Sequence, residues 1–194
     1  MNRRALLTGM ATTVATTIAL GGCLRPEYRT ALLDETGTGS VGAAYSLAAG
    51  DKLRVIVFGQ DNLSNIYAVD GAGRIALPLI GPVKVAGGST AQAARAIEAR
   101  LRDGYVREPH VTVEVEVYRP FFILGEVTTS GQYPYVRGMT VETAVAIAAG
   151  FGPRAARDYA VVTREGPTGL VSGIVPMTYP VRPGDTIVVK ERWF

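Results

Sequence analysis

The stretch "YSLAAGDKLRV", Tyr45–Val55, recurs in altered form as "YPVRPGDTIVV", Tyr179–Val189. Both copies begin with Tyr, continue to a Gly-Asp pair, and end in alternating aliphatic residues. Gly permits backbone angles that other residues avoid, and Asp ties off a turn by accepting backbone N–H groups. The alternating aliphatics then predict a half-buried strand. The residues that we interpret as structural turn residues of the two copies are Gly50, Asp51, Gly184 and Asp185.

The residues that follow the first copy predict a mixed module over residues 45–118. After the turn, "DKLRVIVFG" places three aliphatic residues on one face of a strand, and "HVTVEVEVY" repeats this period-two pattern. The Asp70-Gly71-Ala72-Gly73 turn lies between two short apolar runs and predicts a hairpin. Ser89 and Gln92 predict a capping box for a helix that Gly104 ends. The residues predicted to face the core are Leu53, Val55, Val57, Ala93, Ile97, Leu101, Val111, Val113, Val115 and Val117.

The remaining residues, 119–194, predict a second mixed module that ends with the second copy. "FFILGEV" is typical of a strand, and "TTSGQYPYV" predicts a turn and a returning strand, with Gly125 and Gly131 as structural turn residues. Thr140 is the predicted N-cap of a helix from Val141 to Ala149, and "YAVVTR", "GLVSGIV" and "DTIVVKERWF" supply further strands. This order is typical of a β-grasp-like unit. The sequence therefore predicts an α+β fold of two small mixed α/β modules that pack side by side.

Residues 1–22 have the pattern of a secretory signal peptide, with two arginines before an uncharged stretch and small residues at its end. The stretch "LGGC" resembles the lipobox of bacterial lipoproteins, which implies cleavage between Gly22 and Cys23 and acylation of the Cys23 thiol. An ordinary signal peptide with a coincidental Cys is the alternative, and "RRALL" also faintly resembles a twin-arginine signal. Residues 23–44 lack a sustained period and predict a flexible tether.

The composition narrows the classes of function. The formal charge of +3 is close to neutral once the two leader arginines are removed, and no Lys/Arg run is present, which argues against nucleic acid as a partner. One Cys and one His exclude an internal disulfide and a Cys/His zinc site, and we predict neither a metal nor a cofactor. His110 has no nucleophile motif nearby and does not indicate catalysis.

Carboxylate pairs are the remaining route to catalysis, because glycosidases need only two. The candidates are Asp51, Asp185, Asp70 and Glu126. Each lies beside Gly in a predicted turn, where a carboxylate commonly accepts backbone N–H groups. We therefore predict that the protein is not an enzyme, and depolymerisation of a polysaccharide stays the enzymatic alternative.

Four stretches of the chain together resemble the outer-membrane polysaccharide export lipoproteins. The stretches "YSLAAGDKLRVIVFGQ" and "VDGAGRIALPLIGPVKVAGGSTAQAARAIEARL", with "EPHVTVEVEV", resemble their polysaccharide export domain, and "FFILGEVTTSGQYPYVRGMTVETAVAIAAGF" resembles their SLBB (soluble ligand-binding β-grasp) domain. The resemblance covers residues 45–194. It implies a non-enzymatic protein, lipid-anchored at the outer membrane and facing the periplasm, that forms a homo-oligomeric ring. That ring would be an exit conduit for capsular or exopolysaccharide, supplied by an inner-membrane polysaccharide co-polymerase.

The sequence departs from the best-studied architecture of this family near its end, where "VVKERWF" contains no helix long enough to span a membrane. We therefore expect a short member that relies on its lipid and on a separate outer-membrane pore protein. Trp193 and Phe194 are candidates for docking to that pore, and packing on the protein's own core is the alternative. A free-standing periplasmic module that binds a small saccharide is the alternative function.

Overall fold

The computed structural model describes residues 45–166 and 169–192 of the chain. The predictions for the signal peptide, Cys23, the tether, Trp193 and Phe194 lie outside these described residues. Within them the chain forms ten strands, two α-helices and a 3₁₀ turn, so the predicted α+β class is confirmed. The strands are β1 (Lys52–Val57), β2 (Asn65–Ala68), β3 (Arg74–Leu77), β4 (Gly81–Lys84), β5 (Val111–Val117), β6 (Phe121–Gly125), β7 (Gly131–Tyr133), β8 (Tyr159–Gly166), β9 (Gly169–Pro176) and β10 (Thr186–Val189). The helices are α1 (Thr90–Arg102) and α2 (Val141–Ile147), and the 3₁₀ turn is Asp61–Leu63.

In the first module, β1 is the central strand of a three-stranded sheet. It is antiparallel to β2 on one side and to β5 on the other, while β3 and β4 form a separate antiparallel hairpin. The alternation predicted for β1 is confirmed, because Leu53, Val55 and Val57 are buried. The predicted capping box of Ser89 and Gln92 is present, and the three apolar residues predicted for α1 are buried in the same core.

The turn at Asp70 forms, but the hairpin predicted around it is wrong. The Asp70 N–H donates to the Arg74 carbonyl at 2.8 Å, and the Gly73 N–H donates to the Asp70 carbonyl at 2.8 Å. The strands on either side nevertheless pair elsewhere, β2 with β1 and β3 with β4. Pairing with β4 lets β3 bury Ile75 and Leu77 in the core of the module. This burial outweighs the local signal of the turn.

The prediction that Val117 faces the core is also wrong, because this residue is exposed. Leu53 lies opposite Val115, whereas Lys52 lies opposite Val117, so the register shifts between them. Glu116 is the extra residue, and such a β-bulge interrupts the alternation of faces. Period two alone does not reveal it.

The second module is a mixed five-stranded sheet together with α2, which buries one face, Val141, Ala144 and Val145, in the core of this module. The strand order is β7-β6-β10-β8-β9, in which β10 is parallel to β6 and the other pairs are antiparallel. Thr140 caps α2 as predicted, in a reciprocal pair with Thr143. The helix ends at Ile147 rather than at the predicted Ala149, because Ala149 has a left-handed φ of 65°. The core of this module shares no residue with the core of the first.

The larger sheet of each module also presents apolar side chains to solvent. In the first module these are Ile56 on β1 and Ile66 on β2, with Phe58 directly after β1; we call them the first open face. In the second module, Phe122 and Leu124 on β6 are exposed. A row of aliphatic residues lies in register beside Leu124, and we call Phe122 and this row the second open face: Leu124, Val188, Val161 and Ile174.

Candidate functional site at the junction of the two modules

Asp51, in the first copy of the phrase, is fully buried and its carboxylate accepts hydrogen bonds from three groups. The Tyr45 hydroxyl lies 2.8 Å from both carboxylate oxygens, and the N–H groups of Ala48 and Arg119 each donate at 2.9 Å. Burial, followed by the hydrogen bond to Asp51, raises the pKa of Tyr45 well above its usual value. The hydroxyl therefore stays protonated and can donate. The turn is held by its own carboxylate.

Asp185, in the second copy, is equally buried but has a different principal partner. Arg164 of β8 donates to it in parallel, from Nε at 2.8 Å and from Nη2 at 2.7 Å, and the Arg182 N–H donates at 2.7 Å. Burial lowers the pKa of Arg164, but the hydrogen bonds and charge of Asp185 outweigh burial and raise it. Burial, and then the charge of Arg164, lowers the pKa of Arg182. This turn is locked to a strand of its own sheet.

Arg119 lies between the two turns. Its Nη1 donates to the Tyr45 hydroxyl at 3.0 Å and lies 3.7 Å from a carboxylate oxygen of Asp51. On the other side, a Cβ atom at Gly184 would lie 2.6 Å from Nε of Arg119, so the guanidinium covers this glycine. Gly184 also donates its N–H to the carbonyl of Pro120 at 3.0 Å. The residues that link the modules therefore contact both copies of the phrase.

Three tyrosines cross the same junction edge to face. The rings of Tyr45 and Tyr118 are 4.9 Å apart at 83°, and those of Tyr118 and Tyr135 are 5.5 Å apart at 72°. Arg137 donates to the Tyr118 hydroxyl at 2.7 Å, and its guanidinium lies 5.9 Å from the centre of that ring. We call Tyr45, Tyr118, Tyr135, Arg119 and Arg137 the junction cluster. It joins the first module, the linker at residues 118–120 and the second module through side chains.

The four predicted turn glycines have different surroundings. Gly50 and Gly184 have φ of +91° and +86°, which strains any side-chain-bearing residue. Gly125, with φ +88°, ends β6 against the carbonyl of Val189, where a Cβ atom would overlap the backbone. Gly131 begins β7 outside the left-handed region. Only the first two lie beside Arg119.

The chemistry of this site is structural rather than reactive. Asp51 and Asp185 are fully buried and already accept several hydrogen bonds from the protein, so neither carboxylate is exposed to a substrate. His110 accepts a hydrogen bond from the Phe58 N–H through its backbone carbonyl. Among the described residues, no group of three or more His, Cys, Asp or Glu side chains could hold a metal ion. No helix among them has the length and apolar character that would cross a membrane.

A separate cleft of 520 Å³ lies in the second module. Its lining includes Arg157, Asp158, Tyr159 and Arg192. The loop that carries Arg157 is tied to the end of β10, since the Ala156 N–H donates to the Lys190 carbonyl at 2.8 Å. The guanidinium of Arg157 lies 5.7 Å from the centre of the Phe151 ring. The cleft therefore combines two cations, a carboxylate and a phenol, which come from the loop before β8, from the first residue of β8 and from Arg192 after β10.

The sequence interpretation missed Arg119 and Arg164. Arg164 carries a signal that could have been used, because the alternation of "YAVVTR" places it on the inward side with Ala160 and Val162. A charge at an inward position requires a buried partner. Arg119 carries no comparable signal beyond its position between two predicted modules.

Two family models match the chain, one on each side of Arg119. Residues 40–116 match the family described as polysaccharide biosynthesis/export protein, and residues 120–175 match the SLBB domain. The chain is 34% identical to the exopolysaccharide production protein ExoF of Rhizobium meliloti in an alignment of 132 residues that covers 59% of this chain and 31% of that protein. It is 31% identical to the EPS I polysaccharide export outer membrane protein EpsA of Ralstonia nicotianae in an alignment of 172 residues that covers 83% of this chain and 43% of that protein.

A third relative is the polysialic acid transport protein KpsD of Escherichia coli, with 27% identity over 124 residues, 63% of this chain and 22% of that protein. The chain thus spans less than half the length of each of these three relatives.

Proposed function

Because this chain belongs to the polysaccharide export proteins, with a polysaccharide biosynthesis/export domain followed by an SLBB domain, we propose that it is a non-enzymatic subunit of a polysaccharide exit conduit. The observation that carries the proposal is that this chain matches both family domains, in this order. Its two buried carboxylates, Asp51 and Asp185, stabilise turns, which is consistent with a subunit that is not an enzyme. A hydrated polymer needs such a conduit, because its hydroxyl groups would lose their hydrogen bonds in hydrocarbon.

We further propose that the conduit is a ring of identical subunits. The supporting observation is that the chain presents two different open faces, one on each module. Rings form by head-to-tail contacts, in which each subunit offers two different surfaces, whereas a two-fold dimer uses one surface twice. In this arrangement the second open face of one subunit packs on the first open face of the next, and this contact buries the apolar side chains of both faces.

The location in the cell is also part of the proposal. Acylation of Cys23 would anchor the subunit in the outer membrane, with both modules in the periplasm. An inner-membrane polysaccharide co-polymerase would deliver the polymer, and a separate outer-membrane pore protein would release it. The match to a relative whose name includes "outer membrane protein" supports this location.

The export function is tested by deleting the gene and measuring polymer inside the cell and on its surface. We expect surface polymer to be lost while synthesis continues, and complementation with the intact gene to restore it. A deletion strain with normal surface polymer would contradict the function. A Cys23→Ser protein that exports normally would contradict the lipid anchor alone.

The ring is tested by light scattering on the purified full-length protein and two matched variants. Leu124→Glu places a charge on the second open face, whereas Ile147→Glu places one at the end of α2, and the two native residues are 46% and 44% exposed. We expect oligomers for the parent and for Ile147→Glu, and monomers for Leu124→Glu. A parent that stays monomeric, with and without its lipid, would contradict ring formation.

The cleft supports a second candidate function, a periplasmic module that binds a small saccharide. Clefts of about 300–1,000 Å³ are typical of small-molecule sites, and Arg157 and Tyr159 offer groups that bind hydroxyl and carboxylate oxygens. Calorimetry with oligosaccharides distinguishes the candidates. Stoichiometric binding by a monomer, lost in Arg157→Ala, would favour the binding module over the conduit.

A further inference from the structure

The structure provides each module with a core of its own. The two hydrophobic clusters have no residue in common, so burial within them does not by itself fix how one module is oriented on the other. Among the described residues, the linker at residues 118–120 and the junction cluster around it connect the two modules. The orientation of the modules therefore depends on a few specific contacts at this junction.

Among these contacts, Arg119 is the residue whose side chain touches both copies of the repeated phrase. In the first module its guanidinium donates to the Tyr45 hydroxyl and lies near the Asp51 carboxylate. In the second module the same guanidinium lies against Gly184, where only the absence of a Cβ atom leaves room for it. One cation thus contacts both turns.

The contact of Arg119 is weaker than that of its counterpart in the second module. Arg119 Nη1 lies 3.7 Å from the Asp51 carboxylate and its side chain is 24% exposed, whereas Arg164 meets Asp185 at 2.7 Å and is almost completely buried. A partly hydrated guanidinium that leaves its partner regains water, but a buried one does not. Asp51 also keeps three other donors when the guanidinium leaves. The Arg119 contact can therefore open without unfolding the turn that it holds.

We propose that Arg119 is a latch that holds the two modules in one orientation, and that its release allows them to move relative to each other. The latch consists of the guanidinium, the Tyr45 hydroxyl and the Gly184 backbone, and the three tyrosines that meet edge to face pack beside it. The proposal does not depend on what the protein transports. Within a ring, however, the same latch would set the angle between modules in every subunit.

The test measures the distance between the modules with spin labels on the full-length chain. Cys23 is the only Cys, so a Cys23→Ser background accepts two new labelling sites without interference. Ala99→Cys on α1 and Ala146→Cys on α2 are suitable because both alanines are exposed. We expect one narrow distance distribution for the parent and a distribution about twofold broader for Arg119→Ala. This variant keeps the backbone N–H that donates to Asp51.

The matched control is Arg74→Ala, which removes an arginine whose exposed ion pair with Asp70 includes no residue of the junction cluster. We expect its distribution to equal that of the parent. An Arg119→Ala distribution as narrow as the parent's would overturn the proposal. If Arg119→Ala loses its circular dichroism signal, Gly184→Ala provides the second test, because the new methyl group displaces the guanidinium and keeps the arginine. A narrow, unshifted distribution in a folded Gly184→Ala would overturn the proposal equally.

Discussion

The two copies of the repeated phrase form the same turn but hold it with different partners. In both, Gly with a left-handed φ precedes a fully buried Asp that accepts a backbone N–H from the residue three positions earlier, Ala48 or Arg182. The first Asp also accepts hydrogen bonds from the Tyr45 hydroxyl and from the Arg119 N–H of the linker. The second Asp instead accepts a bidentate pair of hydrogen bonds from Arg164 on a neighbouring strand.

In each copy, the turn and its buried carboxylate accept hydrogen bonds from donors elsewhere in the chain, and we call this unit a socket. The origin of the donors determines whether the socket stabilises one module or connects two. A buried carboxylate must be satisfied wherever it occurs, because an unpaired charge in the core costs several kcal/mol. When the donor comes from the same sheet, the socket stabilises one module. When it comes from the linker, the socket fixes the linker and thereby the neighbouring module. The same eleven-residue pattern can therefore serve stability at one end and geometry at the other.

The largest expected effect is a difference in the free energy of unfolding between variants of Arg164 and Arg119. Arg164→Met leaves Asp185 buried without its cation, and we expect a loss of about 3–5 kcal/mol in the free energy of unfolding. Arg119→Met removes a longer and partly exposed contact, and we expect a loss of no more than about 1 kcal/mol. Urea denaturation of both variants, followed by circular dichroism, measures the difference. Equal losses would show that the two sockets are energetically alike.

A double variant sharpens this result. Arg164→Met with Asp185→Asn removes both charges together, and replacing a buried pair is far less costly than breaking it. We expect the double variant to be more stable than Arg164→Met alone. If it is less stable, the arginine does more than neutralise the carboxylate.

The second prediction compares the two glycines. An alanine at a left-handed φ costs about 1–3 kcal/mol, so Gly50→Ala and Gly184→Ala both lower stability through backbone strain. Only at Gly184 does the new Cβ atom also displace the guanidinium of Arg119; at Gly50 it lies 3.4 Å from the Arg119 Cβ. We therefore expect similar urea midpoints for the two variants but altered inter-module distances for Gly184→Ala alone. Altered distances in both variants would show that strain, not the displaced cation, moves the modules.

The third prediction concerns the tyrosine that begins each copy. Tyr45→Phe removes a hydroxyl that donates to buried Asp51, and we expect a loss of about 1 kcal/mol. Tyr179→Phe keeps the ring that lies 5.7 Å from the Arg164 guanidinium carbon, and we expect a smaller loss. Thermal unfolding of the two variants against the parent provides the measurement. A larger loss for Tyr179→Phe would show that the hydroxyl of Tyr179 contributes more to stability than that of Tyr45.

The sequence was sufficient for the elements whose residues obey one local rule. The alternation of β1, the capping box of α1 and the N-cap of α2 follow from spacing within a few residues. It was not sufficient where a distant partner decides. The strand after Asp70 pairs with β4 because that pairing buries Ile75, and the donors of the sockets come from up to 68 positions away. Local periodicity contains no information on such partners.

The smallest expected effect is at Asp70, a turn carboxylate on the surface that has no buried arginine as its partner. Its carboxylate accepts N–H bonds from Arg74 at 2.8 Å and from Ala72 at 2.9 Å on the surface. The bond from Arg74 is the main cause that lowers the pKa of Asp70 below its ordinary value of 3.8, and the bond from Ala72 adds to it. A depressed folded pKa stabilises the protein above the unfolded pKa, and this contribution disappears as the pH falls through the folded value. We expect a carboxyl titration by NMR to give a pKa below 3.8, and the signal to vanish in Asp70→Asn. A pKa at or above the ordinary value would mean that the N–H groups of Ala72 and Arg74 bond to water rather than to the Asp70 carboxylate. Burial, and not the turn conformation itself, would then be the reason that the carboxylates of Asp51 and Asp185 accept backbone N–H groups.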